Sequence, residues 1–367
     1  MIAYWTTFTL SLALQATLGN AHGIPDGKYH SRSLAHCGEV LEARGLTQKV
    51  AAQRAEMVAK ERKKRNLNDQ DPHLKARSFY SSLATNHNVT YAGYTPGTNP
   101  AELFSNYDDS CLLAPQATYG PYYVAGELVR SDIAEDQEGI PMLLQLQFID
   151  SKTCEPVTGV YADIWHADSA GDYSGVTYED VSADNINATF FRGIQPTDHH
   201  GLVHFHSMFP GHYPLRATHV HVMIHNNATV HPNKTLELNS GNIAHVGQVF
   251  FDQDLINLAD TISPYSENTN TMVKNSEDGI FYVEAEVIDP VTRYTFLGDS
   301  LEKGIMAWMV FGIDLDANYN DVVQAASYYG KDGGESNANY NLTKLGPLEQ
   351  VPTTAKAPTT FTATISV

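Results

Sequence analysis

From Thr218 to Ile224 the chain reads Thr-His-Val-His-Val-Met-Ile. Side chains in a strand alternate between two faces, so His219 and His221 share one face while Val220, Val222 and Ile224 share the other. The aliphatic set points into an apolar layer. The two imidazoles, on one face of a rigid strand, make a claw for a metal ion. Just upstream, Pro210-Gly211-His212-Tyr213-Pro214-Leu215-Arg216-Ala217 places Tyr213 in a Pro-Gly turn, from which a phenol oxygen can swing into the same site.

A second tyrosine segment runs from Ala162 to Gly175 and reads as a strand passing into a glycine-rich loop that ends on Tyr173. Further short apolar runs at Leu143–Phe148, Gly201–Phe205, Gly279–Val287 and Ile305–Ile313, separated by turns, predict a mainly β chain with a β-sandwich core. Ahead of it, Leu34, Cys37, Leu41, Leu46, Val50 and Met57 recur at helical spacing. They predict an amphipathic helix or helix pair from Leu34 to Arg65. It ends in the basic run Lys60–Arg65, read as a solvated face, with a dibasic processing site after Arg65 as the alternative. Residues Asn66 to about Asn106 are polar and read as a linker wrapping the core. The chain turns polar again from Asp316. Its end, Val351–Val367, is rich in Thr, Ala and Pro and reads as a disordered tail open to O-glycosylation. The expected layout is a signal peptide at 1–21, a helical region and linker at 22–105, the β-sandwich domain at 106–316 and a polar low-complexity tail at 317–367.

The 367 residues, 42% of them hydrophobic, suffice for one sizeable core. Against 42 acidic residues there are 23 basic ones, a formal charge of -19. No basic stripe is present, which argues against nucleic acid as a partner. Ile2–Leu18 is too short and too polar for a membrane span and reads as a secretory signal cleaved after Ala21. Glycosylation sequons at Asn88, Asn187, Asn227, Asn233 and Asn341 agree with an extracellular protein without a membrane partner.

The two tyrosine segments together resemble the intradiol ring-cleavage dioxygenases, a family that includes catechol 1,2-, hydroxyquinol 1,2- and protocatechuate 3,4-dioxygenases. The resemblance covers roughly Cys111 to Leu315. It rests on Ile164-Trp165 leading through Ala170 and Gly171 to Tyr173, and on Pro210-Gly211, Tyr213-Pro214, Arg216 and the His219/His221 pair. It implies a non-haem Fe(III) site with Tyr173, Tyr213, His219 and His221 as ligands, and Tyr213 as the ligand that leaves when substrate binds. It further implies Arg216 as the group that stabilises charge on the ring, Gln248 as a second polar catalytic residue, and Gly120-Pro121-Tyr122-Tyr123 as pocket wall. The implied reaction takes an aromatic diol and O2 to a muconate-type diacid. Of the three cysteines, the resemblance spans Cys111 and Cys154, which are expected to pair and leave Cys37 unpaired. A homodimer through the N-terminal helices is the expected assembly.

The chemistry agrees with this set. A hard trivalent ion favours anionic oxygen beside imidazole, and two tyrosinates with one hydroxide balance its charge. Taken singly, each residue has an ordinary reading: His219 and His221 as a wet strand face, Tyr213 and Tyr173 as packed or loop aromatics, Arg216 as a surface charge, Gln248 as a strand-end hydrogen-bonder. His199, His200, His204, His206, His212 and His225 crowd the same region. With Val203 and Phe205 inward, His204 and His206 read as a solvated face, and Asp198-His199-His200-Gly201 as a turn. Trp165 and Phe209 read as core or pocket-wall aromatics. The competing functional readings are a β-sandwich binding module that keeps the metal motif as structure, and a copper or zinc oxidative enzyme.

Overall fold

The alternation between His219 and Ile224 extends across a whole sheet in the computed structural model, which describes residues 34–67, 82–83, 85–89, 118–177, 183–238, 240–286 and 288–345. The strands are β1 (Val124–Ala125), β2 (Pro141–Asp150), β3 (Tyr161–Trp165), β4 (Arg192–Pro196), β5 (Leu202–Met208), β6 (His219–Asn226), β7 (Asn242–Phe250), β8 (Arg293–Phe296), β9 (Ile305–Ile313), β10 (Ser327–Gly330) and β11 (Gly333–Ser336). The α-helices among the described residues are α1 (Ala35–Ala43), α2 (Leu46–Arg65), α3 (Gln253–Ala259) and α4 (Gly279–Ala285). One sheet has the order β4-β3-β6-β7 and is antiparallel throughout. The other has the order β5-β2-β9-β8, with β2 and β9 parallel.

These two sheets are the expected sandwich. Ala162, Ile164, Val220, Val222, Ile224 and Val249 from the first meet Leu144, Leu146, Phe148, Val203, Phe205, Ile305, Ala307 and Phe311 from the second in one buried cluster. Removing a side chain such as Leu144 to Ala from such a core costs about 2–5 kcal/mol. The opposite face of each sheet is covered differently. On the second sheet, α1 and α2 bury their apolar stripe: Leu34, Cys37 and Leu41 pack on Ile149, Leu202 and Val310, while Ala51 and Val58 pack on Leu143, Met306 and Trp308. This is why β2 is buried on both faces although Gln145 and Gln147 interrupt its pattern. The Arg54 Nε donates to Gln145 Oε1 at 2.6 Å, and the Arg54 guanidinium lies over the Trp308 ring at 5.8 Å. Polar residues inside the stripe thus dock the helix.

Several expectations need correction. The run expected at Gly279–Val287 gives not a strand but the helix α4 over Gly279–Ala285, because the Asp278 side chain accepts from the backbone N–H groups of Ile280 and Phe281 and starts a helical turn; Val287 lies outside the described residues. The basic run is not simply a solvated face: Arg62 donates to the carbonyls of Phe296 and Leu297, and Arg65 to that of Lys303. Val58, not Met57, is the buried residue at the end of the helical stripe. The stretch after Asp316 is built into the fold as far as residue 345. There β1, β10 and β11 form a third sheet, and Ala325 and Ala326 are buried beside Tyr123 and Tyr173. The stretch expected to be disordered, Val351–Val367, lies outside the described residues, as do the signal peptide, most of the linker and Cys111. The cysteine pairing differs too. Cys37 bonds to Cys154 across a separation of 117 residues and ties α1 to the turn after β2. Cys37, the residue expected to be unpaired, sits at the point where the apolar stripe of α1 meets that turn.

His87 joins a further segment to the core. Its Nδ1 lies 2.5 Å from Asp252 Oδ1 and its Nε2 3.1 Å from Asp289 Oδ2.

Two outcomes test this architecture. Peptide mapping of unreduced protein should recover a Cys37–Cys154 cross-linked peptide, and Cys37→Ser should lower stability by about 2–4 kcal/mol; a Cys111–Cys154 peptide would contradict the fold. For His87, burial alone would lower the imidazole pKa, but the bonds to Asp252 and Asp289 override it and hold it at about 9. A raised folded pKa means that the contribution is complete below the ordinary value of about 6.5 and is lost as pH rises through about 9. Wild type should therefore lose at most about 3 kcal/mol across that window, and His87→Gln should show a flatter profile in denaturant titrations at the two ends.

Candidate metal centre

The outer face of the first sheet carries His219, His221, Met223 and His225 on β6, with Asp163 and Trp165 beside them on β3 and Gln248 opposite His221 on β7. The core-facing valines fix where this face points, so the imidazole pair inherits its position from the sandwich. The Nε2 atoms of His219 and His221 stand 3.0 Å apart. His219 Nδ1 lies 2.6 Å from the Ala217 carbonyl oxygen, an arrangement that places the proton on Nδ1 and leaves Nε2 as a bare acceptor. The ring of Trp165 stacks on His221 with centroids 4.8 Å apart and planes 4° from parallel. Both rings are buried, and burial lowers their pKa values, that of His219 to about 3 and that of His221 well below the usual range. Neutral imidazoles with converging lone pairs are what a cation requires.

The turn ahead of β6 supplies the third side chain. Tyr213 and Arg216 bridge each other across Pro214 and Leu215, and Leu215 takes a left-handed backbone, φ 75°, with 70% of its surface exposed. That conformation is unusual for a branched residue. Leu215 points outward while Tyr213 and Arg216 are buried. The Tyr213 hydroxyl reaches 3.3 Å from His219 Nε2. The loop after β3 supplies the fourth: the Tyr173 ring meets Tyr213 edge-on at 5.4 Å and lies 6.4 Å from His221. This loop packs on the Tyr213 turn at Gly171, where an added Cβ would stand 2.5 Å from the His212 carbonyl oxygen. The Tyr173 hydroxyl is buried, and the Tyr213 phenol is its hydrogen-bonding neighbour. Burial pushes both phenols above their ordinary pKa. A cation seated between them and the imidazoles reverses that penalty, because it favours the ionised oxygen. The set of two phenol oxygens and two neutral imidazoles fits a hard trivalent ion.

Around these four side chains, Gly120-Pro121-Tyr122-Tyr123 forms a wall. The Tyr122 ring stacks on Tyr173 at 4.4 Å and meets Tyr213 edge-on at 5.9 Å. Gly120 has φ +68°, and a Cβ there would lie 2.9 Å from His221 Cε1. The polar groups expected to act with the metal also meet: Arg216 Nη2 donates to Gln248 Oε1 at 2.6 Å, and Gln248 Nε2 donates to the Thr118 carbonyl at 3.1 Å. All six expected site residues are thus placed on one face.

Sequence reasoning missed Asp278 and Glu284. Asp278 takes the Arg216 Nε–H at 2.8 Å. Burial raises its carboxyl pKa, and the adjoining Arg216 more than reverses this, so it stays ionised. Glu284, on α4, is buried, and burial lifts its pKa well above the carboxylate range despite the opposing pull of Arg216 and of the Gln248 backbone N–H. The N-cap signal, an aspartate ahead of Gly279-Ile280-Phe281, could have revealed Asp278.

The other histidines go elsewhere. His204 is exposed, as expected of a solvated face, whereas His206 is half-buried. His225 pairs with Asp163, and His212 Nε2 bonds to the Asn270 carbonyl. Asp198, His199 and His200 can bring three ligand atoms within 4.8 Å of one another in the turn between β4 and β5, at the end of β4 away from Trp165. Asp198 Oδ1 already accepts from the backbone N–H of His200 and of Leu202 there.

The role of Gly120 can be measured. Gly120→Ala should cost about 1 kcal/mol from its left-handed backbone alone and, by pressing on His221, should also lower metal bound per chain. Gly159→Ala, at φ +73° with nothing within 4 Å, bears the same backbone penalty and should leave metal content unchanged. Equal metal contents by elemental analysis would contradict the contact.

A family model described as "Dioxygenase" (Dioxygenase_C) matches residues 118–282. Among solved structures, an intradiol ring-cleavage dioxygenase from Tetranychus urticae is 32% identical, over 57% of this chain and 98% of that one, with a TM-score of 0.48. Catechol 1,2-dioxygenase from Acinetobacter sp. ADP1 is 19% identical over 55% of this chain and 62% of its own, with a TM-score of 0.34. Hydroxyquinol 1,2-dioxygenase from Pseudomonas putida DLL-E4 is 16% identical over 57% and 69%, with a TM-score of 0.34. No curated protein matches the chain.

Proposed function

Because this chain belongs to the intradiol ring-cleavage dioxygenase family, we propose that it is a secreted Fe(III) enzyme that opens catechol-type rings between the two hydroxylated carbons, using O2 and giving muconate-type diacids. The observation that supports this reading most is the convergence of four donors from three separate segments: Tyr173, Tyr213, and the His219 and His221 nitrogens 3.0 Å apart. These four residues would hold the ion. When bound, Fe(III) draws electron density from a chelated diol and opens its ring carbons to O2.

The rest of the reaction falls to the chain's own groups. Tyr213 Oη would take a proton as the diol enters: its turn carries the exposed Leu215, whereas the Tyr173 ring is stacked under Tyr122. His219 and His221, as neutral imidazoles, would hold the ion through their lone pairs. Arg216, in the turn before β6, and Gln248, opposite His221 on β7, are linked at 2.6 Å and would stabilise negative charge growing on the ring. Trp165 and Tyr122 exclude water by stacking on His221 and Tyr173.

Secretion is supported by the buried Cys37–Cys154 bond, a linkage that persists in oxidising compartments. Asn187, Asn227, Asn233 and Asn341 are exposed and open to glycans, whereas Asn88 is buried. The apolar stripe of α1 and α2 is filled by the chain's own sheet, so a homodimer through these helices would use their charged outer side.

Purified protein should carry about one iron per chain and a broad visible band from tyrosinate donation to a trivalent ion. His219→Ala and His221→Ala should lose both. With catechol as substrate, mass spectrometry should find the muconic diacid; a yellow semialdehyde from cleavage beside the diol would overturn the assignment. Arg216→Leu should keep iron and colour while turnover per iron falls by roughly two to three orders of magnitude.

A further inference from the structure

We propose that Asp278 is a positioning residue: it fixes the plane of the Arg216 guanidinium against the metal centre. This inference rests on the functional reading above. Asp278 is 1% exposed, and both its oxygens are engaged from two sides. Oδ1 accepts the backbone N–H groups of Ile280 and Phe281, each at 2.8 Å. Oδ2 accepts Arg216 Nε at 2.8 Å and the Ala217 N–H at 2.7 Å. A carboxylate offers about four lone-pair sites, so these four short bonds leave it one orientation. Arg216 Nη2 lies a further 3.4 Å from Oδ1.

The consequence for Arg216 is geometric. A guanidinium is a rigid planar fork, so fixing Nε and Nη2 fixes the whole group. Asp278 takes one edge and Gln248 Oε1 takes Nη2, leaving Nη1 as the nitrogen that these partners do not engage. Asp278 also bonds to Ala217, whose carbonyl orients His219, so one carboxylate references both the arginine and the imidazole to the start of α4. A purely structural carboxylate could cap α4 from this position without reaching across to residues 216 and 217. Electrostatic preorganisation needs such an anchor, because a charged group that must reorient during reaction loses most of its effect.

The alternative is that Asp278 only caps α4 and neutralises a buried arginine. Activity per bound iron, crystal structures of the variants and a double-mutant cycle separate the two, using catechol as probe. Asp278→Asn keeps a good N-cap but presents an amide to two N–H donors. It should retain its iron and colour, lose about thirtyfold or more in turnover per iron, and show the Arg216 guanidinium displaced from Gln248. In an Arg216→Leu background the same change should cost no more than about threefold further, since a residue acting through Arg216 has nothing left to act on. Should Asp278→Asn fold poorly, Asp278→Glu preserves the charge and shifts it by one methylene; a loss of about tenfold per iron is expected, because position rather than charge is at stake. Wild-type activity per iron in either variant, however much its melting temperature falls, overturns the proposal. So does a loss that multiplies fully with that of Arg216→Leu. If iron-loaded wild type turns over no aromatic diol, the functional reading fails, and the place of Arg216 in the variant structures still decides whether Asp278 holds it.

Discussion

The two-residue period of β6 is the constraint on which the site depends. Burying Val220, Val222 and Ile224 between the sheets leaves His219 and His221 no choice of direction. A slip of one residue would turn the imidazoles into the core and the valines onto the site. Core packing and ligand geometry are therefore one property of this strand, and a mutation that loosens the former reaches the latter without touching it. The remaining donors are added from turns that lean on this strand: the Tyr213 turn enters β6 directly, and the Tyr173 loop rests on the Tyr213 turn at Gly171.

The two outer faces of the sandwich divide the labour. The face bearing the histidines is roofed by loops, the Gly120–Tyr123 wall and the Tyr173 loop, which bring aromatic rings and left-handed glycines close to the donors. The other is sealed by α1 and α2 and carries no part of the site. The charge arrangement follows the same division. Near the donors, burial pushes the Glu284 carboxyl toward its neutral form, while Arg216 holds Asp278 toward its ionised form.

Much of this was legible in the chain because strand alternation and the tyrosine and histidine spacing are local signals. Tyr173, Tyr213, Arg216, His219, His221 and Gln248 were read in order, and the structure brings them to one face. What escaped was set by contacts distant in sequence. Gly279–Val287 has the β-branched and aromatic content of a strand, but the Asp278 cap decided for helix, and its partner Arg216 lies 62 residues away. The cysteine pairing turned on where α1 docks, which no spacing rule supplies. Residues 317–345 looked like a tail because polar stretches give no periodicity, yet they add strands beside β1 by backbone pairing and bury Ala325 and Ala326 beside Tyr123 and Tyr173.

The seat of the N-terminal helices has a consequence for how the chain is made. α1 and α2 are the first described elements in the sequence, and they rest on Met306, Trp308 and Val310 of β9, the last long strand. β9 also lies between β2 and β8. During synthesis the apolar stripe of these helices must therefore wait, with no sheet to cover it, until nearly the whole sandwich has been produced. Contacts of such long sequence separation form late and slowly, and the waiting surface is open to self-association in the interval. The high density of charge on α2, whose last turn carries Arg62, Lys63, Lys64 and Arg65, keeps that early segment in solution until its sheet arrives.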